Sequence, residues 1–148
     1  MSPSLTVRAG VTVQASQQRV WDLAVDWPRQ QEWIWATRTS GGHGRGASVT
    51  GWTGIGPVGF ADTMEITGWD PPRRCTVTHT GRAVRGYGVF EVRPRGDLSE
   101  FRWTEHVELP VPLPPALARL ALAALAPAAR LGLGSSLARF ARLLRPGR

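Results

Sequence analysis

The sequence of 148 residues lacks lysine, so all 18 of its basic residues are arginine. Such a bias is typical of the codon usage of a GC-rich genome, and we assign no function to it. The chain also has a single cysteine, Cys75. One thiol excludes an internal disulfide and every zinc site built from several cysteines. The length and composition therefore predict one domain over residues 1–148 in a reducing, cytoplasmic setting.

Acidic residues are absent from the C-terminal segment. Residues 1–108 hold twelve arginines and all eleven acidic residues, a net charge of +1, whereas residues 109–148 hold six arginines, a net charge of +6. A strongly basic chain is typical of nucleic-acid binders. Here the excess is confined to one terminal segment without a recognition motif, so we expect no nucleic-acid partner.

Long apolar runs suited to a membrane are absent as well. The longest uncharged run, Gly46–Ala61, contains five glycines and a proline, and Arg119 and Arg130 interrupt the apolar C-terminal segment. We expect neither stretch to span a bilayer. The first ten residues lack the apolar core of a signal peptide. These features predict a soluble protein.

The chain does contain an ordered series of strand and helix patterns. Apolar residues alternate through Leu5–Val13, which predicts a half-buried strand, and Ser16 is placed to cap a helix that ends before Pro28 and a second short helix. Pro114 begins a long C-terminal helix, in which Pro127 predicts a bend or a break. Five further strands are predicted between these helices, namely Ala47–Thr53, Val58–Trp69, Arg73–Thr80, Val84–Pro94 and Leu98–Leu109.

Short turns between these strands indicate an antiparallel meander, which curves when it is this long. A glycine-rich loop, Ser40–Gly46, precedes it. The pattern predicts an α+β domain in which a curved antiparallel sheet of about six to seven strands wraps around the long C-terminal helix, with two short helices after the first strand. Leu133 and Leu137 lie on the apolar face of that helix, and we expect them to line a space between helix and sheet.

Five segments spread over nearly the whole chain carry a family pattern: VWDLAVDWPRQQEW (Val20–Trp33), FADTMEITGWDPPRRCTVTHTG (Phe60–Gly81), RGYGVFEVRP (Arg85–Pro94), FRWTEHVELP (Phe101–Pro110) and LGSSLARFARLL (Leu133–Leu144). This pattern resembles the START-like helix-grip (SRPBCC) superfamily, in particular its bacterial polyketide cyclase/dehydrase and lipid-transport branch. The resemblance implies the helix-grip fold and a cavity for a small hydrophobic, polyketide- or lipid-like molecule. It implies no single reaction, because the family includes carriers, ligand sensors and cyclases.

Strand parity places three ionisable residues, Asp62, His79 and Glu105, on the inner face of the predicted sheet. A tight turn at Asp70–Pro72 sets Asp62 opposite His79, within reach of a hydrogen bond. Glu105 is expected about two strand spacings, roughly 10 Å, from His79. We expect the ligand-binding wall of the cavity to be formed by other inner-face residues of the sheet, namely Phe60, Met64, Val77, Phe90, Phe101 and Trp103. Trp35 is expected to join them at the entrance of the cavity.

Two interpretations of the three ionisable residues remain open. As catalytic residues, Asp62 would orient His79 and raise its pKa, and Glu105 would act beside them in cofactor-free cyclisation or dehydration. As binding residues, they would satisfy one another or hold the polar end of a ligand. A metal site needs ligands that converge within about 4 Å, so a 10 Å separation predicts none.

The arginine-rich C-terminal helix also allows two interpretations. Its apolar face can cover the cavity while its arginines meet water, which the fold favours. Alternatively, the helix can lie on anionic lipid or on a protein partner. The oligomeric state is left open by the sequence.

Overall fold

The structure is a computed structural model that describes residues 3–82, 84–108 and 112–146. Its elements are seven strands, two α-helices and one 3₁₀ helix. In chain order they are β1 (Ser4–Val13), α1 (Gln17–Ala24), the 3₁₀ helix (Trp27–Glu32), β2 (Thr37–Gly41), β3 (Ser48–Ile55), β4 (Val58–Asp70), β5 (Arg74–His79), β6 (Arg85–Arg95), β7 (Leu98–Glu108) and α2 (Pro115–Leu143).

The strands form one antiparallel sheet in the order β1-β7-β6-β5-β4-β3-β2. This architecture confirms the predicted helix-grip domain. The prediction omitted β2, whose last two residues fall in the expected loop Ser40–Gly46. The strand TRTSG carries no apolar alternation, and it is ordered by its pairing with β3, where Thr39 faces Gly51.

The two short helices follow β1 as expected. Ser16 caps α1, since its hydroxyl accepts a hydrogen bond of 3.2 Å from the backbone N–H of Arg19. The 3₁₀ helix begins at Trp27 and Pro28, where the fixed φ of proline suits a first helical turn. Gln30 is buried, and its side chain donates to the carbonyl of Ala24 at 3.2 Å. This hydrogen bond joins the 3₁₀ helix to the end of α1, and the 3₁₀ helix also packs against β2.

Helix α2 runs as one element from Pro115 to Leu143, so the predicted possibility of a break at Pro127 is wrong. It packs along β1. The six residues that are buried on its inner face are Ala118, Leu122, Ala126, Ser136, Leu137 and Phe140.

Trp33 fills the space between α2 and the sheet. Its side chain is fully buried, and its ring centroid lies 5.0 Å from that of Phe140 and 6.0 Å from that of Phe101. Trp103 and Phe90 contact the same ring from the sheet, with centroids 5.8 Å and 5.9 Å away. This aromatic cluster divides the interior into a packed part beneath α2 and an open part beside β2–β6.

Candidate functional site

His79 lies at the centre of a buried polar network on the inner face of the sheet. Its Nδ1 lies 2.8 Å from Oδ1 of Asp62, and its Nε2 lies 3.2 Å from Oε2 of Glu105. The side chain of His79 is 4% exposed, against 18% for Asp62 and 21% for Glu105. We call these three residues the polar trio.

The hydrogen bond between Asp62 and His79 is present as predicted, although the predicted register is wrong by two residues. His79 pairs with Met64, and the register of β4 and β5 shifts between Ile66 and Gly68. The turn has the expected three residues but lies one residue later, because β4 extends to Asp70 and β5 begins at Arg74. A shift of two residues keeps a side chain on the same face, so Asp62 still reaches the imidazole along a diagonal.

The backbones of Glu105 and His79 are two strand spacings apart, as predicted, but their side chains meet at 3.2 Å rather than at the expected distance of roughly 10 Å. Glu105 pairs with Gly88 on β6, the strand that separates β7 from β5. A Cβ at Gly88 would lie only 2.7 Å from Oε1 of Glu105. The missing side chain at Gly88 therefore leaves the space in which the carboxylate of Glu105 crosses β6 to reach His79.

The polar trio satisfies most of its own hydrogen-bonding groups. The indole N–H of Trp103 donates to Oε1 of Glu105 at 2.8 Å, so both carboxylate oxygens of Glu105 are used. Both imidazole nitrogens of His79 face carboxylates. Among the residues that the structure describes, no group donates to Oδ2 of Asp62. One carboxylate oxygen thus remains as an acceptor beside the cavity.

The environment of His79 moves its pKa upward. Burial by itself lowers the pKa, but the hydrogen bonds and charges of Asp62 and Glu105 outweigh that effect and raise the pKa to about 9. His79 is therefore an imidazolium at neutral pH, with an N–H directed at each carboxylate. In this state it is a hydrogen-bond donor and a potential acid, and it lacks the free nitrogen of a general base.

A cavity of about 160 Å³ lies in front of the polar trio. Its walls are largely apolar and include several threonine and glutamine side chains. The apolar wall is formed by Trp27, Ile34, Val49, Met64, Cys75, Val77, Phe90 and Trp103, and the uncharged polar side chains are Gln30, Thr37, Thr39 and Thr53.

The structure brings four of the predicted ligand-binding residues to the cavity and five elsewhere. Met64, Val77, Phe90 and Trp103 line it. Phe60 and Trp35 lie at the surface, where they are 43% and 61% exposed, and the residues packed into the core beneath or beside α2 are Phe101, Leu133 and Leu137.

The residues that were predicted to line the cavity but lie elsewhere form two groups, and the prediction failed for a different physical reason in each. Phe60 shares the inner parity of β4 but pairs with Thr53 near the end of the β3–β4 hairpin. Leu133 and Leu137 do face inward from α2, as their spacing predicts. Trp33 and Phe101 lie between this helix and the sheet, so the leucines contact the aromatic core rather than the cavity.

Sequence reasoning missed the wall supplied by the 3₁₀ helix and by β2. Thr37 and Thr39 alternate along TRTSG, and Gln30 lies one turn from Trp27. Recognition of this short alternation as a strand would have placed both threonines on the cavity side. The side chain of Cys75 also reaches the cavity, and burial raises the pKa of its thiol to about 12.

Within residues 3–82, 84–108 and 112–146, no group of three or more His, Cys, Asp or Glu side chains is arranged to hold a metal ion. The polar trio illustrates why. The imidazole stands between the two carboxylates and points a nitrogen at each, whereas metal ligands would direct their lone pairs at one common point. The three side chains are arranged to form hydrogen bonds with one another.

Comparison with known proteins identifies one family. The family model described as polyketide cyclase / dehydrase and lipid transport matches residues 4–145. No curated protein matches the sequence significantly.

Several solved structures share the fold at low sequence identity. The Zhui aromatase/cyclase from Streptomyces sp. R1128 is 18% identical, with 97% of this chain and 98% of that chain covered and a TM-score of 0.72. TTHA0849 from Thermus thermophilus is also 18% identical, with 95% and 97% covered and a TM-score of 0.72. The polyketide cyclase-like protein Cgl2372 from Corynebacterium glutamicum is 18% identical, with 97% and 93% covered and a TM-score of 0.67. At this identity the likeness shows the fold alone.

Proposed function

Because the chain belongs to the polyketide cyclase/dehydrase and lipid transport family, we propose that it binds or carries a small apolar molecule in the cavity in front of the polar trio. We further propose that the trio anchors a hydrogen-bond donor on that molecule. The observation that carries this proposal is the closed network around His79, which leaves an acceptor oxygen on Asp62 and, among the described side chains of the trio, no free donor.

The size and lining of the cavity support a ligand with a compact apolar part. A volume of about 160 Å³ is close to that of an engineered apolar cavity of about 150 Å³ that binds benzene. Aromatic faces from Trp27, Phe90 and Trp103 suit a flat ring. A ligand with one aromatic ring and a short chain therefore fits.

The negative charge of the polar trio favours a ligand that donates a hydrogen bond over a ligand that carries a carboxylate. With His79 protonated between two carboxylates, the polar trio carries a net charge of −1. Although the chain holds 18 arginines, none is among the described residues of the cavity wall. At the trio, a ligand carboxylate would meet two carboxylates without a free cation, so nothing there would compensate its desolvation. A phenol, alcohol or ammonium group would instead donate to Asp62.

Calorimetric titration with matched ligands tests this function. 4-Propylphenol and 4-propylbenzoate share their apolar part and differ in the polar group. At pH 7 we expect the phenol to bind and the benzoate to bind at least about tenfold more weakly, equivalent to about 1.4 kcal/mol. Phe60→Ala, outside the cavity, serves as the matched control and should bind like the wild type. Equal affinity for the two compounds would contradict the anchoring role of the trio.

A second candidate is cofactor-free acid–base catalysis, as in cyclisation or dehydration. The 3.2 Å contact between His79 and Glu105 is the longer of the two at the imidazole, and its opening by a ligand would free an N–H to donate to a carbonyl. Glu105 would then be the base.

Proton exchange separates this candidate from simple binding. For a catalyst, we expect the wild type to accelerate exchange of the α-protons of 4-propylacetophenone in D₂O, followed by NMR. Glu105→Gln should abolish the exchange while the affinity measured by calorimetry is retained. Parallel loss of both would show that the trio acts only as an anchor.

A further inference from the structure

Helix α2 exposes large apolar side chains over its first five turns. Leu117, Leu120, Leu125 and Leu131 are 54%, 67%, 56% and 75% exposed, and we call them the leucine face. With 100° of rotation per residue, three of them (Leu117, Leu120 and Leu131) lie on the side opposite the buried residues of α2. Folding therefore does not use these side chains.

The hydropathy of α2 is high for a helix that is mostly solvent-exposed. Its most apolar 18-residue window has a mean hydropathy of 1.5, and 17% of that window is buried. By length and composition alone, the helix is able to cross a membrane. Its inner face, however, packs along β1, and Leu137 and Phe140 belong to the core of the domain. These contacts favour a helix that lies along a surface rather than through it.

Exposed arginines border the leucine face. With 100° of rotation per residue, Arg119 and Arg130 lie along one edge of it, roughly 100–120° from its centre, Arg142 lies on the outward side nearer the C-terminus, and Arg145 follows the end of α2. Among the residues that the structure describes, no carboxylate forms an ion pair with any of these arginines. The absence of acids from residues 109–148 leaves this charge uncompensated within the segment.

We propose that the leucine face docks on the surface of a lipid bilayer that contains anionic phospholipids, with α2 parallel to the membrane plane. The leucines would enter the boundary between headgroups and acyl chains, and the arginines would contact lipid phosphates. An exposed apolar stripe bordered by cations is the pattern of an interfacial helix.

The charge of the segment favours lipid over a second copy of the chain. If two leucine faces packed together, they would bring Arg119 and Arg130 of each copy close to their counterparts, and α2 supplies no acid to neutralise them. An anionic surface provides the missing counter-charge and accepts the apolar side chains at the same time.

Vesicle sedimentation tests the proposal with the whole chain. We expect binding to vesicles of phosphatidylcholine and phosphatidylglycerol at a 7:3 ratio, at least about tenfold weaker binding to phosphatidylcholine alone, and a strong reduction in 1 M NaCl. The double variant Leu120→Ser, Leu131→Ser should lose at least about tenfold in affinity for the mixed vesicles. Leu98→Ser replaces an exposed leucine outside α2 and should bind like the wild type.

A second measurement needs no variant. Hydrogen exchange of the unmodified chain should show added protection over residues 115–131 when mixed vesicles are present, and no added protection with phosphatidylcholine alone. Unchanged exchange in this segment, or equal binding by the serine variant, would overturn the proposal. Light scattering that shows a dimer, abolished by the serine substitutions, would overturn it in favour of a second copy.

Discussion

The cavity and the leucine face of α2 are both apolar surfaces that carry charge at one side, and they differ in sign and in exposure. The cavity encloses about 160 Å³ and ends in the polar trio, whose net charge is −1 with His79 protonated. The leucine face is open to solvent and bordered by arginines. The carboxylates of the polar trio favour a ligand that donates a hydrogen bond, whereas the arginines at the leucine face favour an anionic surface.

This difference shows how little the overall charge of +7 says about function. The excess comes almost wholly from residues 109–148, which supply no wall to the cavity among the described residues. The site proposed to bind ligand is thus locally negative in a positively charged chain. Substitutions on each surface are expected to affect one property and leave the other intact.

The largest expected effect compares the inner and outer sides of α2. Phe140→Ala removes a fully buried ring from the aromatic cluster around Trp33 and should lower the free energy of unfolding by about 3–5 kcal/mol. Leu131→Ala, at 75% exposure, should change it by less than about 0.5 kcal/mol. Urea unfolding measures both. A similar loss in the two variants would show that the leucine face is part of the folded core.

The polar trio should give the fold a pH dependence of a specific sign. The pKa of His79 is raised to about 9 in the folded chain, above an unfolded value of about 6.5. The stabilisation, roughly 3 kcal/mol at most, is therefore fully present below about pH 6.5 and is lost as pH rises through about 9. Urea unfolding between pH 6 and 10 should show this decline in the wild type and not in His79→Asn. Phe60→Ala should keep the wild-type profile, and a wild-type stability that rises over this range would contradict the assignment.

A smaller effect is expected where Gly88 lets Glu105 cross β6. In Gly88→Ala the new Cβ would lie 2.7 Å from Oε1 of Glu105, so the carboxylate must turn away from His79. The loss of one hydrogen bond between charged groups should cost about 1.5–3 kcal/mol and lower the pKa of His79.

The pH titration of the imidazole protons by NMR measures that change in pKa. Gly10→Ala is the matched control, because its Cβ would meet no described atom closer than 3.6 Å. An unchanged pKa of His79 in Gly88→Ala would mean that Glu105 does not depend on the gap at Gly88.

The smallest expected effect concerns Cys75 in the cavity wall. Burial raises the pKa of its thiol to about 12, so the thiol is protonated and unreactive at pH 8. Iodoacetamide should leave the native chain unlabelled on a timescale on which the urea-unfolded chain reacts fully, as mass spectrometry would show. Rapid labelling of the native chain would mean that the wall opens to solvent.

The sequence was sufficient to predict on which face of the sheet a side chain lies, but not the distances between side chains on that face. Parity placed Asp62, His79 and Glu105 on one face, and an error of two residues in register left that result intact because side chains alternate with period two. The distance from Glu105 to His79 depended on the empty space over Gly88 and on how far a carboxylate reaches across it. The glycine is visible in the sequence, but how far the carboxylate reaches across it is not.

The sequence predicted cavity-lining residues correctly only on strands, where the alternation of side chains sets the face that a residue occupies. Leu133 and Leu137 were correctly expected on the inner face of α2, but the spacing of a helix does not say which element it meets. The insertion of Trp33 between α2 and the sheet decides that question, and it arises from packing between elements distant in sequence. The same limit explains why β2 and its threonines were missed.

The most direct test of the account is an NMR titration of the three histidines with 4-propylphenol and 4-propylbenzoate at pH 7. His106 lies on the outer face, stacked on Tyr87, and serves as the internal reference. We expect the phenol to shift the imidazole signals of His79 in a saturable manner and to leave those of His106 unchanged, while the benzoate shifts neither at the same concentrations. A response of His79 to the benzoate alone, or to neither compound while calorimetry detects phenol binding, would contradict this expectation.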